Sequence, residues 1–241
     1  MSKKQILEVL KHHLQIAIEL EHSTLPPYLY AYWSIHGNSA PAKEAREILL
    51  SVIREEMLHM SMACNILNAI GGSPSINHPD FIPGYPGYLP GHSHTANAFL
   101  VHLEPFSPST IGTFMKIELP ARFVQNPEHG KRWATIGEYY EEILELMNSP
   151  MLTDEDFRGG KQIDNSANPA HGKLYTVNSK TDAIAAVNEI IDQGEGLDGN
   201  EYDAENDLTH YFRLKKMGGP MNSGDWEWRE EGLPVVSNPD E

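Results

Sequence analysis

The 241-residue sequence contains one cysteine, Cys64. An intrachain disulfide needs two cysteines and a thiolate metal cluster needs more, so both are excluded. Long apolar runs are missing too. No stretch approaches the roughly 18 apolar residues of a membrane span, and Met1-Ser2-Lys3-Lys4-Gln5 leads into mixed polar and apolar residues without a signal-type apolar core. These features predict a reducing, cytoplasmic setting and no membrane partner. Positive charge is scarce: 18 Lys and Arg face 34 Asp and Glu, for a formal net charge of −16. Nucleic acid and anionic lipid surfaces would repel such a chain. No Ser-His-Asp order and no phosphate-cradling glycine loop stands out.

What the sequence does have is helical periodicity. Leu7, Leu10, Leu14, Ile18, Leu25, Tyr28 and Tyr32 recur at steps of three and four, which predicts a first helix over 7–33. Pro26 and Pro27 remove two backbone donors, so a kink or break is expected near Thr24. After Gly37-Asn38-Ser39 and Pro41, a second helix of about 30 residues, or about 45 Å, runs to the Gly71-Gly72 stop. Residues 73–107 are rich in Pro, Gly and His and read as a long crossover or lid, with Phe99-Leu100-Val101 as a short local strand. Further helical pieces start at Ser107-Pro108 (Ile111, Phe114, Ile117), at Thr135 (Ile136, Tyr140, Ile143, Met147) and at Thr181 (Ile184, Asn188, Ile191, Glu195). A last piece spans Asp207 to Met217. The expected fold is all-α: a four-helix bundle over residues 1–217 whose third and fourth legs are broken. Residues 218–241 form a tail.

Polar residues interrupt the apolar stripes at mid-length. Glu21 lies between Ile18 and Leu25, and Glu56 and His59 lie between Val52 and Ala63. In a bundle that binds two metal ions through carboxylates, two helices each give a Glu and two give Glu-x-x-His, because positions i and i+3 share a face. Oxygen-rich sets with some imidazole suit iron or manganese. With 12 His and 34 acids, about 1.7 acid-x-x-His pairs arise by composition alone. Three are present: Glu19/His22, Glu56/His59 and Asp207/His210. Helical phase separates them. Only Glu56/His59 falls on an apolar stripe, whereas Glu19 falls away from one.

Ile18-Glu19-Leu20-Glu21-His22-Ser23-Thr24-Leu25-Pro26-Pro27-Tyr28-Leu29-Tyr30 and Arg54-Glu55-Glu56-Met57-Leu58-His59-Met60 resemble the ferritin-like domain of iminophenyl-pyruvate dimer synthases. Shorter echoes are Ile136-Gly137-Glu138-Tyr139-Tyr140, Gln193-Gly194-Glu195-Gly196 and Thr209-His210-Tyr211-Phe212-Arg213. The resemblance implies a ferritin-like bundle with a carboxylate-bridged metal site and oxidative chemistry on aromatic amino-acid derivatives. It makes Glu138 the lone acid of the third leg, although Thr135-Ile136-Gly137-Glu138 is also a capping box. On the fourth leg His210 pairs with either Glu195 or Asp207. The expected metal ligands are thus Glu21, Glu56, His59, Glu138, Glu195 or Asp207, and His210.

Lesser candidates have plainer readings. Tyr28 and Tyr32 read as core aromatics or site neighbours, and His22 as a group supporting the ligands. His92 and His94 read as a solvated His-x-His, and Cys64 as a small core residue. The expected function is a non-haem di-metal oxidoreductase. It would use two iron ions, with manganese as the alternative, and would act with O2 on a small organic substrate held beneath the 73–107 lid. Its activity would fall as His59 and His210 protonate in mild acid. The rival is a ferritin-like metal-sequestering module without turnover. A homo-oligomer is compatible with either.

Overall fold

A computed structural model describes residues 1–90, 98–124, 133–164, 173–196 and 199–217. His92, His94 and the predicted tail lie outside the described residues. Among these residues six α-helices, with short 3-10 turns between them, account for the regular structure: α1 (Lys3–Ser34), α2 (Ala40–Ala69), α3 (Pro108–Ile117), α4 (Ile136–Met147), α5 (Lys180–Gly194) and α6 (His210–Lys216). Among the described residues there are no strands, only isolated bridges at Gly87–Val101 and Tyr202–Leu208. The local strand expected at 99–101 is therefore reduced to one bridging residue. None of the described helices is long and apolar enough to cross a membrane.

α1 and α2 pack along each other as an antiparallel pair. α3 and α4 both lie on α1, α5 and α6 both lie on α2, and α4 closes the ring against α5. Two long helices and two legs each split into two pieces thus make the bundle. Its core is built from Leu10, Leu14, Ile18, Leu49, Val52, Ile66, Phe114, Tyr140, Ile143 and Val187, all almost fully buried. Burying such side chains contributes about 1.5–3 kcal/mol each relative to exposure.

α1 starts on a capping box, Ser2 accepting from Gln5 N while the Gln5 side chain accepts from Ser2 N. It then runs unbroken through Pro26 and Pro27, contrary to the expected break. A proline at position 27 leaves the carbonyl of Ser23 without its helical donor, and the Tyr85 hydroxyl fills that vacancy at 2.6 Å. α5 begins two residues earlier than expected. Ser179, not Thr181, caps it by accepting from Asp182 N. Its buried face is accordingly Ala183, Ala186, Val187 and Ile190 instead of Ile184, Asn188 and Ile191. α6 begins only at His210, which leaves Asp207 in the preceding loop.

Candidate metal centre

Glu21 sits midway along α1 and Glu56 and His59 midway along α2, each on the face turned to the partner helix. The packing that buries the apolar stripe therefore buries these groups as well, to 3% exposure or less. Glu118 caps the C-terminal end of α3, and His210 opens α6. Two sets of three side chains result: Glu21, Glu56 and His59, and Glu56, Glu118 and His210. Within each set the donor atoms lie within 4.8 Å of one another, so each could hold a metal ion. Glu56 belongs to both.

The imidazoles are oriented from behind. His59 Nε2–H donates to Gln193 Oε1 at 2.9 Å, and Gln193 in turn donates to Glu189 at 2.8 Å, which fixes the amide. His210 Nε2–H donates to Glu55 Oε2 at 2.8 Å, and that same oxygen accepts from Arg213 at 2.7 Å. Both Nδ1 atoms consequently face the acids. His59 Nδ1 is 3.6 Å from both Glu21 and Glu56, and His210 Nδ1 is 3.0 Å from Glu56 and 3.4 Å from Glu118. His210 Nδ1 is fully buried, yet none of these contacts has the direction of a hydrogen bond. The rings lie nearly parallel, 5.4 Å apart.

The carboxylates are held too. Tyr140 donates to Glu21 at 2.5 Å, Tyr28 to Glu118 at 2.5 Å and Thr24 to Glu56 at 2.6 Å. Three acids so close and so buried cannot all ionise without cations. Burial, followed by the charge of Glu56, pushes Glu21 up to about 7 and also raises Glu118. Burial would raise Glu56 as well, but its close contacts with His210 and His59 win and hold it well below the usual carboxylate range. Burial alone would lower both imidazoles, yet the contacts of His59 with Glu21 and Glu56 lift it to about 10, and Glu118, Glu55 and Glu56 hold His210 well above its ordinary value.

Of the residues expected from sequence, Glu21, Glu56, His59 and His210 come together. Glu138 does not. It closes the N-terminus of α4 instead: its side chain accepts from Ala134 N, one residue before the cap, while its own amide donates to the Thr135 hydroxyl. Glu138→Ala is expected to cost about 1 kcal/mol of stability, read as a lowered Tm, with metal content unchanged. Asp207 is exposed, and its amide bonds Asp203. With α6 starting at His210, the two residues are not one helical turn apart.

Glu195 stands beside the cluster. Its carboxylate accepts from Gly137 N at 2.7 Å and Ala121 N at 3.2 Å, and it fits there because residue 137 has no Cβ. Burial pushes it up to about 7. It lines, with Glu21, Glu56, His59, Glu118 and Tyr140, a cavity of about 20 Å³, room for roughly one water molecule. His22 lies apart, stacked on Phe81 at 4.3 Å. Tyr32 is half-buried against Trp33, and Cys64 is a buried thiol that burial raises to about 11.

Sequence reasoning missed Glu118, Glu55 and Gln193. A signal for Glu118 existed: it follows Ile111 by seven and Phe114 by four, on the same stripe.

The family model Ferritin-like matches residues 14–218. The 2-imino-3-(indol-3-yl)propanoate dimerase of Chromobacterium violaceum is 27% identical over 265 aligned positions, which cover 94% of this chain and 24% of the relative. The chain thus spans about a quarter of that relative's length. A solved ferritin like protein from Caulobacter vibrioides aligns with a TM-score of 0.62 and 26% identity, over 88% of this chain and 72% of its own. The helical fold, its buried acid and imidazole cluster and the extent of the family match lead to one conclusion: the chain belongs to the Ferritin-like family.

Proposed function

We propose that this protein is a non-haem di-metal oxidoreductase that acts with O2 on a small organic substrate of the aromatic amino-acid-derived class. One observation carries the reading: two imidazole Nδ1 atoms and three carboxylates converge in the core, with both Nε2–H groups engaged on the far side. Such a donor set of oxygen and nitrogen fits iron, with manganese as the alternative. Glu21, Glu56 and His59 would hold one ion, and Glu56, Glu118 and His210 the other. Bound there, the metals would supply open coordination positions and electrons for O2 reduction.

The chain's own residues do the rest. Gln193 and Glu55 keep the Nδ1 lone pairs inward. Tyr28 and Tyr140 fix the rotamers of Glu118 and Glu21 and, as phenols raised far above their ordinary range, stay protonated donors. Glu195 faces the cavity with a carboxyl able to take or give a proton near neutrality. The cavity admits a molecule the size of O2 or water, so the organic substrate must bind outside it or open it. The substrate class is taken from the activity for which the Chromobacterium relative is named.

The small volume of the cavity favours a second reading, a module that holds metal without turnover. Oxygen uptake separates the two. With ferrous protein, the enzyme reading expects repeated O2 consumption when an aromatic 2-imino acid is supplied, beyond that used in oxidising the bound metal. Uptake that stops at the metal's own stoichiometry with every such substrate favours the module.

A further inference from the structure

The two triads match in the donors they present: a lone glutamate, one share of Glu56 and one Nδ1. They match also in phenol support, since Tyr140 holds Glu21 as Tyr28 holds Glu118, both at 2.5 Å. They differ behind the imidazoles. His59 donates to a carboxamide, Gln193, and negative charge appears only one side chain further out, at Glu189. His210 donates directly to a carboxylate, Glu55.

A carboxylate is the stronger acceptor. It draws the Nε2 proton outward and leaves more electron density on Nδ1. Arg213 shares Glu55 Oε2 and offsets part of that charge. It does so from beyond the oxygen, so the carboxylate, in contact with the ring, dominates there because Coulomb energy falls with distance. Arg213 also fixes the carboxylate, since its Nε donates to Leu208 O and its Nη1 also reaches Ser51 at 3.3 Å. Glu195 is taken up by the amides of Ala121 and Gly137 and adds to neither triad.

Resting on the two-metal reading, we propose that the two positions are inequivalent. Glu55 makes the His210 position the one that fills first, and Gln193 leaves the His59 position the weaker. Glu55 and Gln193 are thus positioning residues that set the order of loading and the ligand field at each ion. An asymmetric pair suits a centre in which one ion stays fixed while the other keeps exchangeable positions for incoming molecules.

The test is a Co2+ titration of metal-free full chain, followed by the visible ligand-field bands, with anomalous scattering at the cobalt edge from crystals holding one equivalent. Two steps at least about tenfold apart are expected, the first ion lying on Glu56, Glu118 and His210. Glu55→Gln should weaken the first step about 10- to 100-fold and merge the two. That variant also leaves Arg213 without its anion and can lose stability, so Gln193→Glu provides an independent arm: it should tighten the second step and narrow the gap. A first ion on Glu21, Glu56 and His59, an even split, or steps unmoved by Gln193→Glu would overturn the inequivalence while leaving the two-metal reading intact. A chain that binds no cobalt would overturn that reading as well.

Discussion

Glu56→Ala should take the protein from two tightly held divalent ions per chain to none that survives desalting. Glu56 is the one side chain common to both triads, its Oε1 facing both imidazoles. Losing a hydrogen-bond partner behind a ligand already costs about 10- to 100-fold in metal affinity, and loss of a donor in each triad should exceed about 100-fold at both. Glu21→Ala is the informative contrast. Glu21 serves only the His59 triad, so one ion should remain. Metal analysis after gel filtration reads both variants, and circular dichroism shows whether the helices persist. Some destabilisation is expected in Glu56→Ala, because Thr24 and two imidazoles lose a buried partner. Two ions per chain in folded Glu56→Ala would contradict the shared-ligand arrangement.

Metal loading at pH 7 should release protons, roughly two to four per chain, because ligands must shed them to bind. His59, lifted to about 10, and His210, held well above its ordinary value by the surrounding acids, carry imidazolium protons in metal-free protein, and Glu21, at about 7, is half protonated. Each proton displaced makes apparent affinity rise about tenfold per pH unit. Binding of the pair should therefore steepen to about 100-fold per unit across neutral pH, and its loss begins well above the mild acid expected of ordinary imidazole.

Stability of the metal-free protein follows the opposite course. A histidine whose folded pKa is raised stabilises fully below its ordinary 6.5, and that contribution is lost as pH climbs through about 10. The raised carboxyls of Glu21 and Glu118 act with the same sign from about 4.5 upward. Glu55 and Glu56, held low, lose their contribution only in stronger acid. Metal-free protein should thus lose Tm from neutral to alkaline pH while the metal-bound form gains on it. Proton release in lightly buffered solution and paired melting curves from pH 6 to 9 check both. An affinity flat across that range would contradict the protonated cluster.

How much of the centre could be read from sequence depended on where each residue sits in its helix. Glu21, Glu56 and His59 lie in the middle of helices of 32 and 30 residues, where many apolar neighbours define the phase and a polar intruder stands out. Glu118 caps a helix of ten, so the stripe pointing to it holds only Ile111, Phe114 and Ile117. Asp207 and His210 satisfy the i, i+3 spacing, but that spacing carries meaning only inside a helix, and α6 begins at His210. Glu138 met two patterns at once, and the local cap won because its partners are adjacent in the chain. Glu55 lies next to Glu56 but about 100° around the helix. Its partner His210 is 155 positions away, so only packing could reveal the pair. The fold was more legible: both long helices and the split legs follow from periodicity and turn residues.

The most direct measurement is a crystal structure of the protein loaded with ferrous iron under anaerobic conditions, with anomalous scattering at the iron edge. Two ions are expected, sharing Glu56, one held by Glu21 and His59 and the other by Glu118 and His210. Iron bound elsewhere, or a cluster that stays metal-free while its imidazoles remain paired with the acids, would contradict it.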